Sequence, residues 1–163
     1  MFYKKHGANL LSVQTPFKHG FPIDDPNQLM QGNCINEGDG GSHYCGFDTA
    51  GKILTHLLSN LPGSNFTKLN AKAAPEDWRQ KGTIREFDQK EFFHGDEEEF
   101  KKSDFKENGG LYFPHSCMAE DKHCNIHINM AGCFGSNDYW AKAGSGMIDY
   151  AATNDIILLF PWV

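Results

Sequence analysis

Residues 123–136, HCNIHINMAGCFGS, bring histidine and cysteine side chains together ahead of a glycine-containing turn. Imidazole nitrogen and thiolate sulfur are ligands that zinc prefers in proteins. With the residues just upstream, the candidate ligands are His115, Cys117, His123, Cys124 and His127. Structural zinc sites usually place two cysteines with roughly two to four residues between them, so that both thiolates reach one ion. Six residues separate the two thiols here, so a zinc-bound interaction domain is the least favoured interpretation.

The same segment has the alternation of a β-strand, because successive side chains of an extended chain point to opposite faces. The polar face would consist of Asn125, His127 and Asn129. The apolar face would consist of Ile126, Ile128 and Met130. A half-buried histidine on such a strand, following a disulfide that uses Cys124, explains these residues more simply than a metal site does.

Nucleophilic catalysis has little support from motifs alone. The serine of an α/β hydrolase lies in a G-x-S-x-G turn between a strand and a helix, and no such pentapeptide occurs in this sequence. The nearest approach is GSGM at residues 144–147, where Ala143 and Met147 occupy the positions of the outer glycines. Cys133 lies in a glycine-flanked turn, but nothing in the sequence identifies a base beside it.

Length and composition restrict the classes of protein to consider. A chain of 163 residues with 39% hydrophobic and 22% charged residues is typical of one globular domain. The formal net charge of −6 and the scattered basic residues argue against a nucleic-acid partner, which requires a concentrated basic surface. No apolar run reaches the roughly 18 residues of a membrane-spanning helix, so we expect no membrane partner.

The five cysteines form no C-x-x-C pair. The spacing from Cys34 to Cys45, and from Cys117 to Cys124, suits two local disulfides that each close a short polar loop. Cys133 is then left over, and an odd cysteine in a secreted protein suggests a partner elsewhere. Disulfides imply an oxidising compartment.

The expected location is therefore extracellular. The sequon NFT at residues 65–67 makes Asn65 a candidate glycosylation site, which points the same way. The first residues, MFYKKHGANLL, lack the apolar segment and cleavage site of a signal peptide. A missing N-terminal part would reconcile these two observations.

Hydrophobic spacing predicts one clear helix, over residues 47–63, with Asp48 as its cap and Pro62-Gly63 at its end. Strands are predicted at residues 9–15, 83–93 (at a sheet edge), 110–114, 125–132 and 155–161. Residues 64–83 are predicted to be an exposed linker. The charged residues 94–110 are predicted to be a solvated loop, with an acidic calcium site as the minor alternative.

The last third of the chain predicts a parallel sheet. The strand at 125–132 is followed by a helical stretch at 136–155, broken near Gly144 and Gly146. The continuous apolar run at 155–161 is typical of a strand buried on both faces. Strand, helix and buried strand in this order form a βαβ unit, so the predicted fold class is α/β with a mostly parallel sheet.

A resemblance extends over most of the chain. The stretches CGFDTAGKILTHLL, FDQKEF, GGLYFPHSC, CNIHINMAGCFGS and AATNDIILLFP occur in this order. Together they resemble the esterase/poly(3-hydroxybutyrate) depolymerase family, over roughly residues 9–161. The resemblance implies a secreted, circularly permuted α/β hydrolase that cleaves polyester or small ester substrates without a cofactor or metal.

The resemblance also implies roles for individual residues. PFKHGFP resembles the family segment that holds the catalytic histidine, which makes His19 the general base of a Ser-His-Asp system. Cys133 matches the cysteine of the family's HGC segment, where its backbone N–H would contribute to an oxyanion hole. The predicted pairs Cys34–Cys45 and Cys117–Cys124 match family disulfides. The partner of Cys133 would lie in a later segment that this chain does not contain.

The sequence departs from the family pattern in several places. Ala131 replaces the histidine of HGC, and FPW, ending in Trp162, replaces YPQ. The family's serine elbow and aspartate precede the histidine, and its closing segment follows residue 163. We therefore expect residues 1–163 to form a single partial domain, inactive alone, whose partners include the missing parts of that domain. The alternative, favoured by Ala131 and Trp162, is a non-catalytic secreted binding domain of the same fold.

Overall fold

The computed structural model describes residues 7, 9–17, 20–26, 34, 42–64, 66–74, 76–130 and 145–162. The strands in these ranges are β1 (Phe21–Ile23), β2 (Ser42–Tyr44), β3 (Gly82–Asp88), β4 (Asn108–Pro114), β5 (Asn125–Ile128) and β6 (Ile156–Phe160). The helices are α1 (Thr49–Ser59), α2 (Trp78–Lys81), α3 (Glu97–Lys102) and α4 (Met147–Ala151). Short 3₁₀ turns occupy Lys90–Phe92 and His115–Met118.

The strands form two sheets within the described residues. β1 and β2 pair in parallel, and the larger sheet has the order β3-β4-β6-β5. In the larger sheet β3–β4 and β4–β6 are antiparallel, while β5–β6 is parallel. The fold is thus mixed α/β with parallel strands. The described pairings are not mostly parallel as expected, because β4 runs antiparallel to both of its neighbours, β3 and β6.

The predicted parallel pair of strands with a helix between them in the chain is confirmed for the described residues, while residues 136–144 of the predicted helical stretch lie outside them. β5 and β6 are parallel with His127 opposite Leu158, and α4 lies between them in the chain. In β6 the even-numbered side chains are buried, while Ile157 and Leu159 are only half-buried. The expectation that both faces of this strand are buried is therefore wrong for one face.

The predicted helix is confirmed as α1, with Asp48 as its N-cap. The Asp48 carboxylate accepts a hydrogen bond from the Gly51 N–H over 2.8 Å, which satisfies an amide that has no partner within the helix. Leu54 and Leu58, one turn apart, are buried in the core. The helix therefore forms where local capping and the apolar stripe agree.

The core lies between one face of the larger sheet and the helices α1 and α4. Its buried members are Ala50, Leu54, Leu58, Ala73, Trp78, Tyr112, Met147, Ile148, Ala151, Ala152, Ile156, Leu158 and Phe160. The Tyr112 hydroxyl donates to the Trp78 carbonyl over 2.9 Å. Burial raises the pKa of Tyr112 well above its usual value, and the charge of Asp149 adds to the effect.

Several predicted segments differ in the structure. Residues 9–15 form no strand and lie exposed, with Leu11 at 53% and Val13 at 50% exposure. The segment predicted as an exposed linker buries Ala73 and Trp78 and contains α2. Neither stretch has a regular period, so its packing depends on distant residues.

The acidic segment predicted as a loop contains the helix α3. Asp96 caps it, and a reciprocal pair of hydrogen bonds joins Asp96 and Glu99. This arrangement is a capping box, for which an acidic residue three positions before a glutamate is the sequence signal. The edge strand predicted at 83–93 is confirmed as β3 over its first part and continues as a 3₁₀ turn.

Candidate functional site

The predicted chemical residues His19 and Cys133, and the candidate glycosylation residue Asn65, lie outside the described residues. Ala131 lies outside them as well. The structure does describe the chain on one or both sides of each position. The elements that lead into and out of these positions therefore define the candidate site.

The segment that follows His19 is β1, which is held on two sides. It pairs with β2, and the Cys45 N–H donates to the Ile23 carbonyl over 2.8 Å at the end of the pairing. Directly after β1, the carboxylate of Asp24 forms an ion pair with Lys72 over 2.5 Å. These contacts fix the course of the chain within a few residues of the predicted base.

The predicted disulfide Cys34–Cys45 is confirmed, with Cα atoms 5.4 Å apart. Cys34 is buried, and its disulfide partner immediately follows β2. The bridge therefore ties Cys34, which precedes β2 in the chain, to the end of the β1–β2 pair. It places a covalent constraint directly beside the strand that leads away from His19.

The segment that leads to Cys133 is β5. Its end is fixed by a hydrogen bond from the Asn129 N–H to the Leu159 carbonyl over 2.8 Å. Its start is fixed by the Asn125 N–H, which donates to the Asp155 carbonyl over 3.1 Å. Because β5 and β6 are parallel, their carboxyl ends lie at the same edge of the sheet, where ligand sites of α/β proteins occur.

The loop before β5 is closed by the second predicted disulfide, Cys117–Cys124, with Cα atoms 6.0 Å apart. Lys122 in this loop forms an ion pair with the Asp155 carboxylate over 2.6 Å. The contact with Lys122 lowers the pKa of Asp155 below its usual value, and a hydrogen bond from Ser116 is the next largest cause. The loop is therefore tied both to itself and to the residue that precedes β6.

Because Cys117 and Cys124 form this disulfide, neither is available as a thiolate ligand for zinc. Within the described part of the chain, no three histidine, cysteine or acidic side chains are grouped so as to hold a metal ion. The acidic segment 94–110 of the calcium alternative lies entirely within this part of the chain. His127 is half-buried on the sheet, and burial lowers the pKa of its imidazole. It occupies the position predicted for a half-buried strand histidine.

Two polar arrangements near these strands could not be found by motif. Asp48 accepts a hydrogen bond from the Tyr150 hydroxyl over 2.6 Å in addition to capping α1. Gln89 is buried, and its amide donates to the carbonyls of Lys106 over 2.8 Å and Trp162 over 3.0 Å. An Asp before a helix was a usable signal for the cap, but no local pattern indicates the distant partners.

Trp162, which departs from the family pattern, packs against β4. Its ring lies against Gly110, where a Cβ atom would come within 3.0 Å of the indole. Its backbone N–H donates to the Gln89 amide oxygen over 3.2 Å. The indole N–H is buried without a hydrogen-bond partner among the described residues. The side chain thus packs against the sheet instead of forming polar contacts there.

The chain is similar to known proteins in both sequence and fold. No family model matches the chain. It is 28% identical over 150 residues to the poly(3-hydroxybutyrate) depolymerase of Delftia acidovorans, a match of 88% of this chain and 26% of that protein. Two solved structures, a PHB depolymerase complexed with an R3HB trimer and the PHB depolymerase from Penicillium funiculosum, have TM-scores of 0.63 and 0.62. These matches support the esterase/poly(3-hydroxybutyrate) depolymerase family.

Both structural matches cover 89% of this chain and 41% of the depolymerase, at 24% sequence identity. The chain therefore spans less than half the length of each depolymerase that it matches. The described residues have the fold of part of a depolymerase, with the same mixed α/β character. No helix among the residues that the structure describes is long and apolar enough to cross a membrane.

Proposed function

We propose that this chain is the part of a secreted, serine-type carboxylic ester hydrolase that carries the catalytic base. The complete protein would depolymerise poly(3-hydroxybutyrate) or a related polyester. The observation that carries the proposal is the depolymerase fold over 89% of the chain, joined to the sequence match with the enzyme of Delftia acidovorans. The R3HB trimer bound by one structural neighbour supports a hydroxyalkanoate ester as the substrate class.

In this proposal residues 1–163 are one partial α/β-hydrolase domain, whose complete sheet is mostly parallel. His19 takes the proton of a serine supplied by polypeptide outside these residues and returns it to the leaving alcohol. The backbone N–H of Cys133 donates to the oxyanion, a contribution worth about 3–4 kcal/mol in the transition state. The anchored β1 and β5 support these roles, because a catalytic group must be held within a fraction of an ångström.

An extracellular location belongs to the same proposal. Two disulfides, Cys34–Cys45 and Cys117–Cys124, favour an oxidising compartment. Glycosylation at Asn65 would follow from secretion of a eukaryotic protein. Treatment with a glycosidase that removes N-linked glycans would then increase the mobility of the secreted protein, and N65Q would remove that shift.

The proposal is tested with p-nitrophenyl butyrate on two polypeptides, the 163-residue chain and the chain extended by its natural flanking coding sequence. We expect no turnover from the chain alone, because it contains no serine elbow, and clear turnover from the extended polypeptide. His19→Ala in the extended polypeptide should reduce kcat by at least about 10⁴-fold. His115→Ala is the control, since His115 is exposed and bonds only Thr83 among the contacts described.

Two results would contradict this proposal. Turnover by the 163-residue chain that His19→Ala abolishes would show that the chain carries its own nucleophile. Turnover by the extended polypeptide that His19→Ala leaves unchanged would remove His19 from the mechanism.

A second candidate is a non-catalytic polyester-binding domain of the same fold. It is favoured by Ala131, which stands where the family has a histidine, and by Trp162, which stands where the family has glutamine. In this case the extended polypeptide would sediment with poly(3-hydroxybutyrate) granules without releasing hydroxybutyrate. Release of hydroxybutyrate, measured in the supernatant, would exclude it.

A further inference from the structure

The two edge strands of the larger sheet differ in chemistry. β3 forms one edge and presents the exposed charged side chains Arg85 and Glu86. Among the described strands β5 forms the other edge, and its residues NIHI include no aspartate, glutamate, lysine or arginine. Natural edge strands that face water carry charges or prolines which prevent further strand pairing. β3 therefore resembles a solvent edge, and β5 resembles an interior strand.

The far face is the side of the sheet that is turned away from the core, and it carries Ile126, Ile128, Ile157 and Leu159. Ile126 lies opposite Ile157, and Ile128 lies opposite Leu159, so the four side chains form two adjacent rows. Ile126 is 66% exposed and Ile128 is 53% exposed. Met130, shortly after the end of β5, is also exposed.

The distribution of polar and apolar side chains on the two faces of β5 is thus the reverse of that expected for an edge strand in water. Its polar side chains at 125 and 127 lie on the same face as the buried β6 residues Ile156 and Leu158. Its isoleucines lie on the far face, outside the core cluster. A contiguous apolar surface of this kind marks an interaction site in a soluble protein.

We propose that the far face and the outer edge of β5 are a docking surface for the part of the depolymerase fold that this chain does not span. That part would add a strand beside β5 and pack apolar side chains over Ile126 and Ile128. The length supports this occupant, because each match covers 41% of the structural neighbour's chain and leaves the larger part of that chain without a counterpart here. The inference rests on the shared fold and requires no hydrolytic activity.

Hydrogen exchange followed by mass spectrometry tests the strand addition. The amides of residues 125–130 are measured in the 163-residue chain and in the polypeptide extended by its natural coding sequence. We expect exchange of this segment to slow by about 100-fold or more in the extended polypeptide, because its outward amides gain partners. The β3 edge at 82–88 serves as the internal reference and should change by less than about threefold.

A variant tests the packing on the far face. Ile126→Lys with Ile128→Lys adds two positive charges, and Glu86→Lys on the β3 edge changes the net charge by the same amount. The double variant should leave the melting temperature of the 163-residue chain unchanged and abolish its binding of the dye ANS. In the extended polypeptide it should lower the melting temperature by several degrees. Glu86→Lys should leave both melting temperatures and the ANS binding as they are.

Four outcomes would overturn the inference. The first is equal exchange of residues 125–130 in both polypeptides, and the second is a reading frame that ends with these 163 residues. The third is a stable dimer of the wild-type chain that the double lysine variant dissociates, which would make a second copy the occupant. The fourth is unfolding of the 163-residue chain by the double variant, which would mean that the chain covers the face itself. Loss of activity alone bears only on the proposed function, so the two can fail separately.

Discussion

The carboxylate of Asp48 joins α1 to α4, and removing it should destabilise the fold more than removing an ordinary helix cap. One oxygen accepts from the Gly51 N–H over 2.8 Å, and the other accepts from the Tyr150 hydroxyl over 2.6 Å. Loss of an N-cap costs about 1 kcal/mol. A hydrogen bond to a charged group contributes about 1.5–3 kcal/mol. Asp48→Ala should therefore lower the free energy of unfolding by about 3 kcal/mol, or about 6–12 °C in melting temperature.

A double-mutant cycle separates the two contributions. Tyr150→Phe removes the hydroxyl and keeps the ring, so the coupling energy between Asp48→Ala and Tyr150→Phe should be about 1.5–2 kcal/mol. Asp48→Asn should lose less than Asp48→Ala, because asparagine is an equally good N-cap. The measurement is urea unfolding at pH 7, followed by circular dichroism.

Asp96→Ala in α3 is the matched control, since Asp96 caps a helix through its side chain without a tyrosine partner among its described contacts. It should cost about 1 kcal/mol and show no coupling to Tyr150→Phe. The reasoning fails if Asp48→Ala costs no more than Asp96→Ala, or if the coupling energy with Tyr150 is below about 0.5 kcal/mol.

Two further predictions concern buried polar groups. Burial raises the pKa values of Tyr112 and Tyr150 in the folded chain, so the unfolded chain loses these protons first. Their contribution is fully present below about pH 10, and above it the free energy of unfolding should fall by about 1.4 kcal/mol per pH unit for each tyrosine. Denaturant titrations between pH 9 and 11 would measure the slope. Gln89→Leu, which removes three hydrogen bonds to the backbone, should lower the free energy of unfolding by about 2–3 kcal/mol in urea titrations.

Each of these predictions has its own control. Tyr150→Phe should remove about half of the alkaline slope, and Tyr44→Phe, at an exposed side chain, should leave the slope as it is. An unchanged slope in Tyr150→Phe would contradict the first prediction. Glu91→Leu lies two residues from Gln89 and is exposed. The second prediction is wrong if the two leucine variants lose similar amounts of stability.

The parts of the fold that the sequence predicted are those set by neighbouring residues. α1 follows from Asp48 and a regular apolar stripe, and both disulfides follow from cysteines close enough in sequence to meet. The parallel pair β5–β6 follows from the order of strand, helix and strand. In each case the information lies within about 30 residues.

The parts that it did not predict depend on distant partners. Residues 9–15 mix apolar and polar side chains as a short strand can, yet no strand among the described residues pairs with them. Trp78 lies in a segment without period, and it is buried in the core, where its ring packs edge-on against Tyr112 from far along the chain. The exposed side of Ile157 and Leu159 was missed for the same reason, since a continuous apolar run does not say which face is covered. Of the candidate site, local pattern located β5, the resemblance supplied His19 and Cys133, and neither predicted the short strands β1 and β2.

The strands next to the predicted site depend on disulfides more than on the core. β5 contributes no side chain to the apolar core cluster, and the buried side chains of β2, Ser42 and His43, are polar and lie outside that cluster. A disulfide ends one residue before β5, at Cys124, and another ends one residue after β2, at Cys45. Closing loops with separations of 11 and 7 residues stabilises a fold by about 2.5–3 kcal/mol per bridge.

Reduction should therefore loosen these two strands before the rest of the fold. With a phosphine reductant we expect amide exchange of residues 42–44 and 125–128 to accelerate by about 50–100-fold, the equivalent of about 2.5 kcal/mol. Exchange in α1 and β6, which are packed in the core, should change far less. The paired variants Cys117→Ser with Cys124→Ser, and Cys34→Ser with Cys45→Ser, should each reproduce only the local effect. A uniform acceleration through α1 and β6 would mean that the bridges hold the whole fold, and the separation between a packed core and tethered site strands would be wrong.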